Sequence, residues 1–164
     1  MSKRRQRNRA LIDAALRSDV VELRRLLAEG ADVDARDPEH GETALMLARS
    51  EEATRLLVDA GADVNARDDT GRTPIRYGAY PLLVEAGADV NVQDNHGMTP
   101  LMWAVVAAGI DQVRQFVAWG ADVNLSAEDG STALDLSVRH GLLAISVYLR
   151  SVGAKLSLVE GCDA

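Results

Sequence analysis

One word, Gly-Ala-Asp-Val-Asn or a near relative, begins at Gly30, Gly61, Gly87 and Gly120, and a degenerate Gly-Ala-Lys-Leu-Ser begins at Gly153. The most complete stretch between two copies is Gly87 to Asn124, GADVNVQDNHGMTPLMWAVVAAGIDQVRQFVAWGADVN. Thr99 and Pro100 sit where a helix starts: the threonine oxygen can accept from the open N–H groups of the first turn, and proline is tolerated at the first helical position. Leu101, Ala104 and Val105 then fall on one face. Ile110, Val113, Phe116 and Val117 recur at helical spacing, and Gly120 follows where a left-handed residue ends the helix. Two short antiparallel helices result. Isolated helices under about a dozen residues are marginal in water, so each pair must bury its stripes against a neighbour like itself.

The words are evenly spaced except between Gly61 and Gly87, where the step is shortest, and the matching helix starts are Thr43-Ala44-Leu45, Thr73-Pro74-Ile75, Thr99-Pro100-Leu101 and Thr132-Ala133-Leu134. In these two linked motifs the chain resembles the ankyrin-repeat family, with its period of about 33 residues and T-P-L-H-x-A signature. The resemblance implies an all-α solenoid of helix-turn-helix units joined by β-turn or hairpin-like loops. It divides the chain into a basic leader at 1–7, one repeat domain at 8–158 and a tail at 159–164. The repeats span about 8–37, 38–68, 69–94, 95–126 and 127–158.

Repeat one predicts helices near 10–18 and 20–29, with charged outer positions that suit an end unit. Repeat two carries an extra turn residue and has lost part of the link between its helices, where Ser50 can start the second helix with Glu51 and Glu52 at its positive end. Repeat three is shorter: the stretch from Thr73 to Gly87 falls roughly two helical turns short of the stretch from Thr99 to Gly120. Tyr77, Tyr80 and Pro81 are placed to repair the gap, with Pro81 opening a stub of helix. Repeat five loses the Asp and Asn of its last turn, as an end unit would.

Net charge is −7, but Lys3, Arg4, Arg5, Arg7 and Arg9 precede any acid and leave 13 basic against 25 acidic residues behind them. An acidic body repels phosphate backbones, so nucleic acid is an unfavoured partner and a basic protein surface a favoured one. The leader reads as solvated, with contact to nucleic acid as the alternative. No apolar run reaches the ~20 residues of a membrane span, and the N-terminus lacks the apolar stretch of a signal peptide. The chain is read as a cytoplasmic monomer. Its one cysteine, Cys162, is read as inert.

Nothing in the sequence forms a catalytic set. Asp135 and His140 make no triad, and no G-x-S-x-G elbow is present. His40, His96 and His140 lie in different repeats without metal spacing, so neither a metal nor a cofactor is expected. Asp32, Asp63, Asp89 and Asp122 are expected to bond their own turn backbones, and the Asn or Asp two residues on to do likewise. The family resemblance also marks Asn65, Asn91 and Asn124 as matching a hydroxylation target.

The expected function is non-enzymatic binding of one protein, with blocking or neutralising as its mechanism; the alternatives are a scaffold or assembly subunit, or nucleic-acid contact through the leader. By resemblance the binding face is the concave side, made of turn tips and first helices. The tips are His40 and Glu42; Asp69, Thr70 and Arg72; Asn95, His96 and Met98; and Glu128, Asp129 and Ser131. Met46, Arg76, Met102 and Asp135 stand where the signature has histidine, with Tyr80, Val106 and Arg139 further along. No repeat keeps that histidine, whose hydrogen bonds must be replaced or missing. The plain reading of that loss is drift, with methionine filling the gap; the alternative is that Met98, Met102 and Val106, extended by Tyr80, form an apolar strip suited to a partner. Trp103 is placed in the core.

Overall fold

The computed structural model describes residues 3–78 and 80–157, except the side chain of Tyr80. Its contacts divide the chain into two compact units, Met1–Asp89 and Val90–Ala164. Among the described residues there are helices, one 3-10 turn and two isolated antiparallel bridges, Arg36 with Thr43 and Ser126 with Thr132, but no strand. The architecture is an all-α ankyrin-type stack.

The first unit holds α1 (Lys3–Leu16), α2 (Val20–Ala28), α3 (Ala44–Leu47), α4 (Glu51–Asp59), the 3-10 turn Pro74–Arg76 and α5 (Tyr80–Glu85). Helix α1 packs on α2 and α3, α2 on α4, and α4 on α5. Leu11, Ala14, Ala15, Leu23, Leu57 and Ile75 are completely buried between them. Asp19 and Ser50 cap α2 and α4 by accepting from the N–H groups of Glu22 and Ala53. The short repeats shorten their first helices: α3 is a single turn, and in repeat three only the 3-10 turn remains. Tyr80 and Pro81 do open a helix, α5.

The leader departs from expectation, because α1 begins at Lys3 rather than near residue 10. Arg4 pairs with Asp32 at 3.1 Å, Arg7 donates to the carbonyl of Glu29, and Asn8 Oδ1 accepts from Asp32 N–H. Cations placed over the exposed carbonyls that end α2 are favoured by its dipole. The segment is helical, and residues 3–6 remain exposed.

The second unit holds α6 (Pro100–Val106), α7 (Ile110–Ala118), α8 (Ala133–Arg139) and α9 (Leu143–Ser151), with α6 on α8 and α7 on α9. Thr99 and Thr132 cap α6 and α8 as their sequence positions demand, accepting from Met102 N–H and Asp135 N–H. Leu101, Val105, Val113, Phe116, Leu134, Ile145 and Leu149 form the core.

The repeated Gly-Ala-Asp word works as expected in part. Asp32, Asp63 and Asp122 accept from the N–H two residues on. The Asn does something else: it crosses to the next repeat. In the first unit Asp34 Oδ1 accepts from Asp63 N–H at 2.9 Å. There too Asn65 donates to Gly87 O and accepts from Asp89 N–H at 2.8 Å. In the second unit Asn91 joins Gly120 O and Asp122 N–H, and Asn124 joins Gly153 O and Lys155 N–H. A primary amide has both a donor and an acceptor, so one side chain satisfies both backbone groups of the neighbouring turn.

Candidate protein-binding surface

Three of the turn tips are organised by an aspartate at the base, Asp37, Asp68 or Asp94. In the first unit Asp37 accepts from the N–H groups of Glu39, His40 and Glu42, which presents His40 to solvent and leaves Glu42 half-buried. Asp68 accepts from Thr70 N–H, the Thr70 hydroxyl, Arg72 N–H and the Tyr77 hydroxyl, the last at 2.7 Å. Burial alone would raise its pKa, but the bonds from Thr70, Tyr77 and Arg72 outweigh it and hold the carboxyl below its usual range. Burial, then Asp68 itself, pushes the Tyr77 phenol upward. The two tips are joined by Asp69 N–H donating to His40 O at 2.9 Å.

The second unit repeats the design. Asp94 accepts from His96 N–H, Met98 N–H and, at 2.9 Å, Trp103 Nε1. Trp103 is therefore half-buried with a polar task, rather than core. Glu128 N–H donates to His96 O at 2.9 Å, seating one tip on the next. In repeat five Asp129 accepts from Ser131 N–H, and Arg139 reaches both Ser131 Oγ at 2.7 Å and Asp129 at 3.6 Å. The Ser131 backbone first, then its hydroxyl, and then Arg139 lower the Asp129 pKa.

The positions where the family signature has histidine divide sharply. Met46 and Met102 are 2% and 1% exposed, with Sδ 3.5 Å from the N–H groups of Thr43 and Thr99. They are corrected from surface contacts to buried caps, because a polarizable thioether can fill the apolar site and still accept weakly from the backbone. The apolar strip thus loses Met102, leaving Met98 half-buried and Val106 exposed. Ser131 is likewise buried. Arg76 is half-buried in the 3-10 turn. Asp135 Oδ2 accepts from Thr132 N–H, the Thr132 hydroxyl and Ser157 N–H, and so ties the start of α8 to the turn after α9. Its pKa is lowered because those bonds outweigh its burial. The Thr43 and Thr73 hydroxyls are buried and have no partner among the described residues. Tyr80 opens α5, but its side chain lies outside the described residues, as do 159–164 with Cys162. Asp69, Thr70, Asn95, His96, Glu128, Asp129 and Arg139 are exposed, and Arg72 is half-buried.

Sequence reasoning missed Asp68, Asp94 and their aromatic donors. A signal existed: in repeats three and four an Asp stands five places before the helix-starting Thr and an aromatic four places after it. Repeat five has Ala127 and Leu136 at those places, and has lost both together.

A family model for ankyrin repeats matches residues 11–81 and 75–159. The chain belongs to the ankyrin-repeat family. The ankyrin array is 39% identical over 120 residues to the Neurogenic locus Notch protein of Drosophila melanogaster, covering 70% of this chain and 3% of that protein. It is 35% identical over 130 residues to human Ankyrin repeat and SOCS box protein 6, covering 75% and 25%. It is 49% identical over 63 residues to the Mitochondrial disaggregase of Bos taurus, covering 37% and 9%. The chain spans a quarter or less of the length of these three relatives. Ankyrin repeats generally mediate protein–protein interaction. Among the described residues of this array no group of His, Cys, Asp and Glu could hold a metal ion, and no helix is long and apolar enough to cross a membrane.

Proposed function

We propose that the array binds one protein through its turn tips and the accessible positions of its first helices, and acts by blocking or bridging that partner. The observation that carries this reading is the construction of the tips. Asp68 and Asp94 each hold a tip by several internal hydrogen bonds, so Thr70, Asn95 and His96 are presented in fixed geometry. Side chains ordered before binding lose less conformational entropy on association. The tips in the second unit combine a half-buried Met98 with exposed His96, Glu128 and Arg139, an apolar contact rimmed by polar groups. The net charge of −7 favours a partner with a basic surface. The basic N-terminal segment supports nucleic-acid contact less well, since Arg4 and Arg7 are engaged on the C-terminal end of α2 and the turn after it.

Capture of a partner from native lysate, read by mass spectrometry, tests the assignment when repeated with His96→Glu plus Met98→Asp. The double variant should lose the partner while its circular dichroism is unchanged, and Gln112→Glu on α7 should keep it. A partner retained by the double variant at full strength would remove the tips from the binding surface.

A further inference from the structure

Repeats four and five align without a gap, Gly87 on Gly120 and Thr99 on Thr132, so every position on repeat four that meets repeat five has a counterpart one repeat later. Val105, on the helix packed against α8, is 0% exposed, and Val123, in the turn after α7, is 9% exposed. Their counterparts Val138 and Leu156 are 46% and 48% exposed. Arg114 lies over the Tyr148 ring of repeat five, 5.6 Å from its centroid. Its counterpart Val147 is exposed, as is Leu143, the counterpart of the half-buried Ile110. Repeat five therefore turns outward a second face that carries Val138, Leu143, Val147 and Leu156. A group of large exposed apolar side chains marks an interaction site.

Arg150 and Lys155 are exposed cations of repeat five, whereas Arg139 is paired with Asp129 of the turn tip. Arg114, Arg139, Arg150 and Lys155 are the lysines and arginines of residues 90–164, and the last three are exposed in repeat five. Arg150 stands where repeat four has Val117.

We infer that this face of repeat five docks an amphipathic helix of a partner protein whose apolar stripe is flanked by carboxylates. Continuity with the stacking of α8 on α6 and α9 on α7 sets the shape of the occupant, since helices are what this face meets one repeat earlier. Arg150 and Lys155 set its flanks, because like charges at a desolvated rim oppose association and opposite charges steer it. The surface is distinct from the turn tips: its centre is on α9 and the end of α8, and variants of one leave the other intact.

Methyl NMR titration with two synthetic helical peptides tests the inference. Both carry leucine at i, i+3, i+4 and i+7; one is flanked by glutamates and the other by lysines. The glutamate peptide should shift the methyl signals of Val138, Leu143, Val147 and Leu156 and bind at least about tenfold tighter than the lysine peptide, with the gap closing as salt rises. Arg150→Glu with Lys155→Glu should reverse the preference, and Val147→Asp should abolish binding of both without changing helix content. Equal binding of the two peptides, or shifts confined to the tips, would overturn the inference. So would methyl signals already covered, either by a second copy, seen as concentration-dependent broadening, or by residues 158–164, seen as exposure gained when those residues are removed.

Discussion

Gly97 and Gly130 both end a turn tip with positive φ, +73° and +79°, yet only one is enclosed. A Cβ built on Gly130 meets nothing within 4 Å, whereas one on Gly97 would lie 2.8 Å from Glu128 N and 3.0 Å from Ala127 Cα. Those atoms are the backbone of the next tip and cannot rotate away as a side chain could. Alanine at either site costs about 1–2 kcal/mol for the left-handed conformation. At Gly97 the two tips must also separate by several tenths of an ångström, which strains the 2.9 Å bond from Glu128 N–H to His96 O. A hydrogen bond of that kind contributes about 1 kcal/mol. Gly97→Ala should therefore cost ~2–3 kcal/mol and Gly130→Ala ~1–2 kcal/mol. The entropy that alanine removes from the unfolded chain is common to both and cancels in the comparison. Urea denaturation reads the difference as unequal midpoint shifts at constant slope. Equal shifts would refute the claim that tip-on-tip contact, rather than backbone conformation alone, fixes this glycine.

Asn91→Ala removes the exposed bonds to Asp122 N–H and Gly120 O, the second a long one at 3.4 Å, and should destabilise by about 0.5–1.5 kcal/mol; a midpoint unchanged in urea would count against the ladder. Asp68 and Asp135 both titrate below their ordinary range, so the stability they supply is complete above the unfolded pKa and is lost as pH falls through the folded one. Urea midpoints should then be flat from about pH 7 to 5 and decline below about pH 4, with the decline reduced in Asp68→Asn. Tyr77→Phe deletes one donor to Asp68 and should raise that carboxyl's pKa toward its ordinary value in an NMR titration. If the array is one domain, urea transitions followed at Trp103 and in repeat-one amides should coincide; separated midpoints would show two independent units.

The recurrence of a short word and a helix start was enough to set the helical class and the caps of α4, α6 and α8. Those features depend on neighbours in sequence: Thr99 caps α6 because it stands one turn before Met102, and Gly-Ala-Asp turns fold on their own aspartates. Tertiary structure decided everything that crosses from one repeat to another. Asn65 and Asn91 reach the following turn rather than their own, Met102 is a buried cap rather than a contact, and Asp135 holds Ser157 N–H. The helical segment from Lys3 to Arg7 likewise sets Arg4 and Arg7 against a carboxylate and a carbonyl that are distant in sequence. A local pattern states what a side chain can do, but burial and partner geometry are properties of the stacked repeats, and the period of the repeat does not reveal which atoms meet across it.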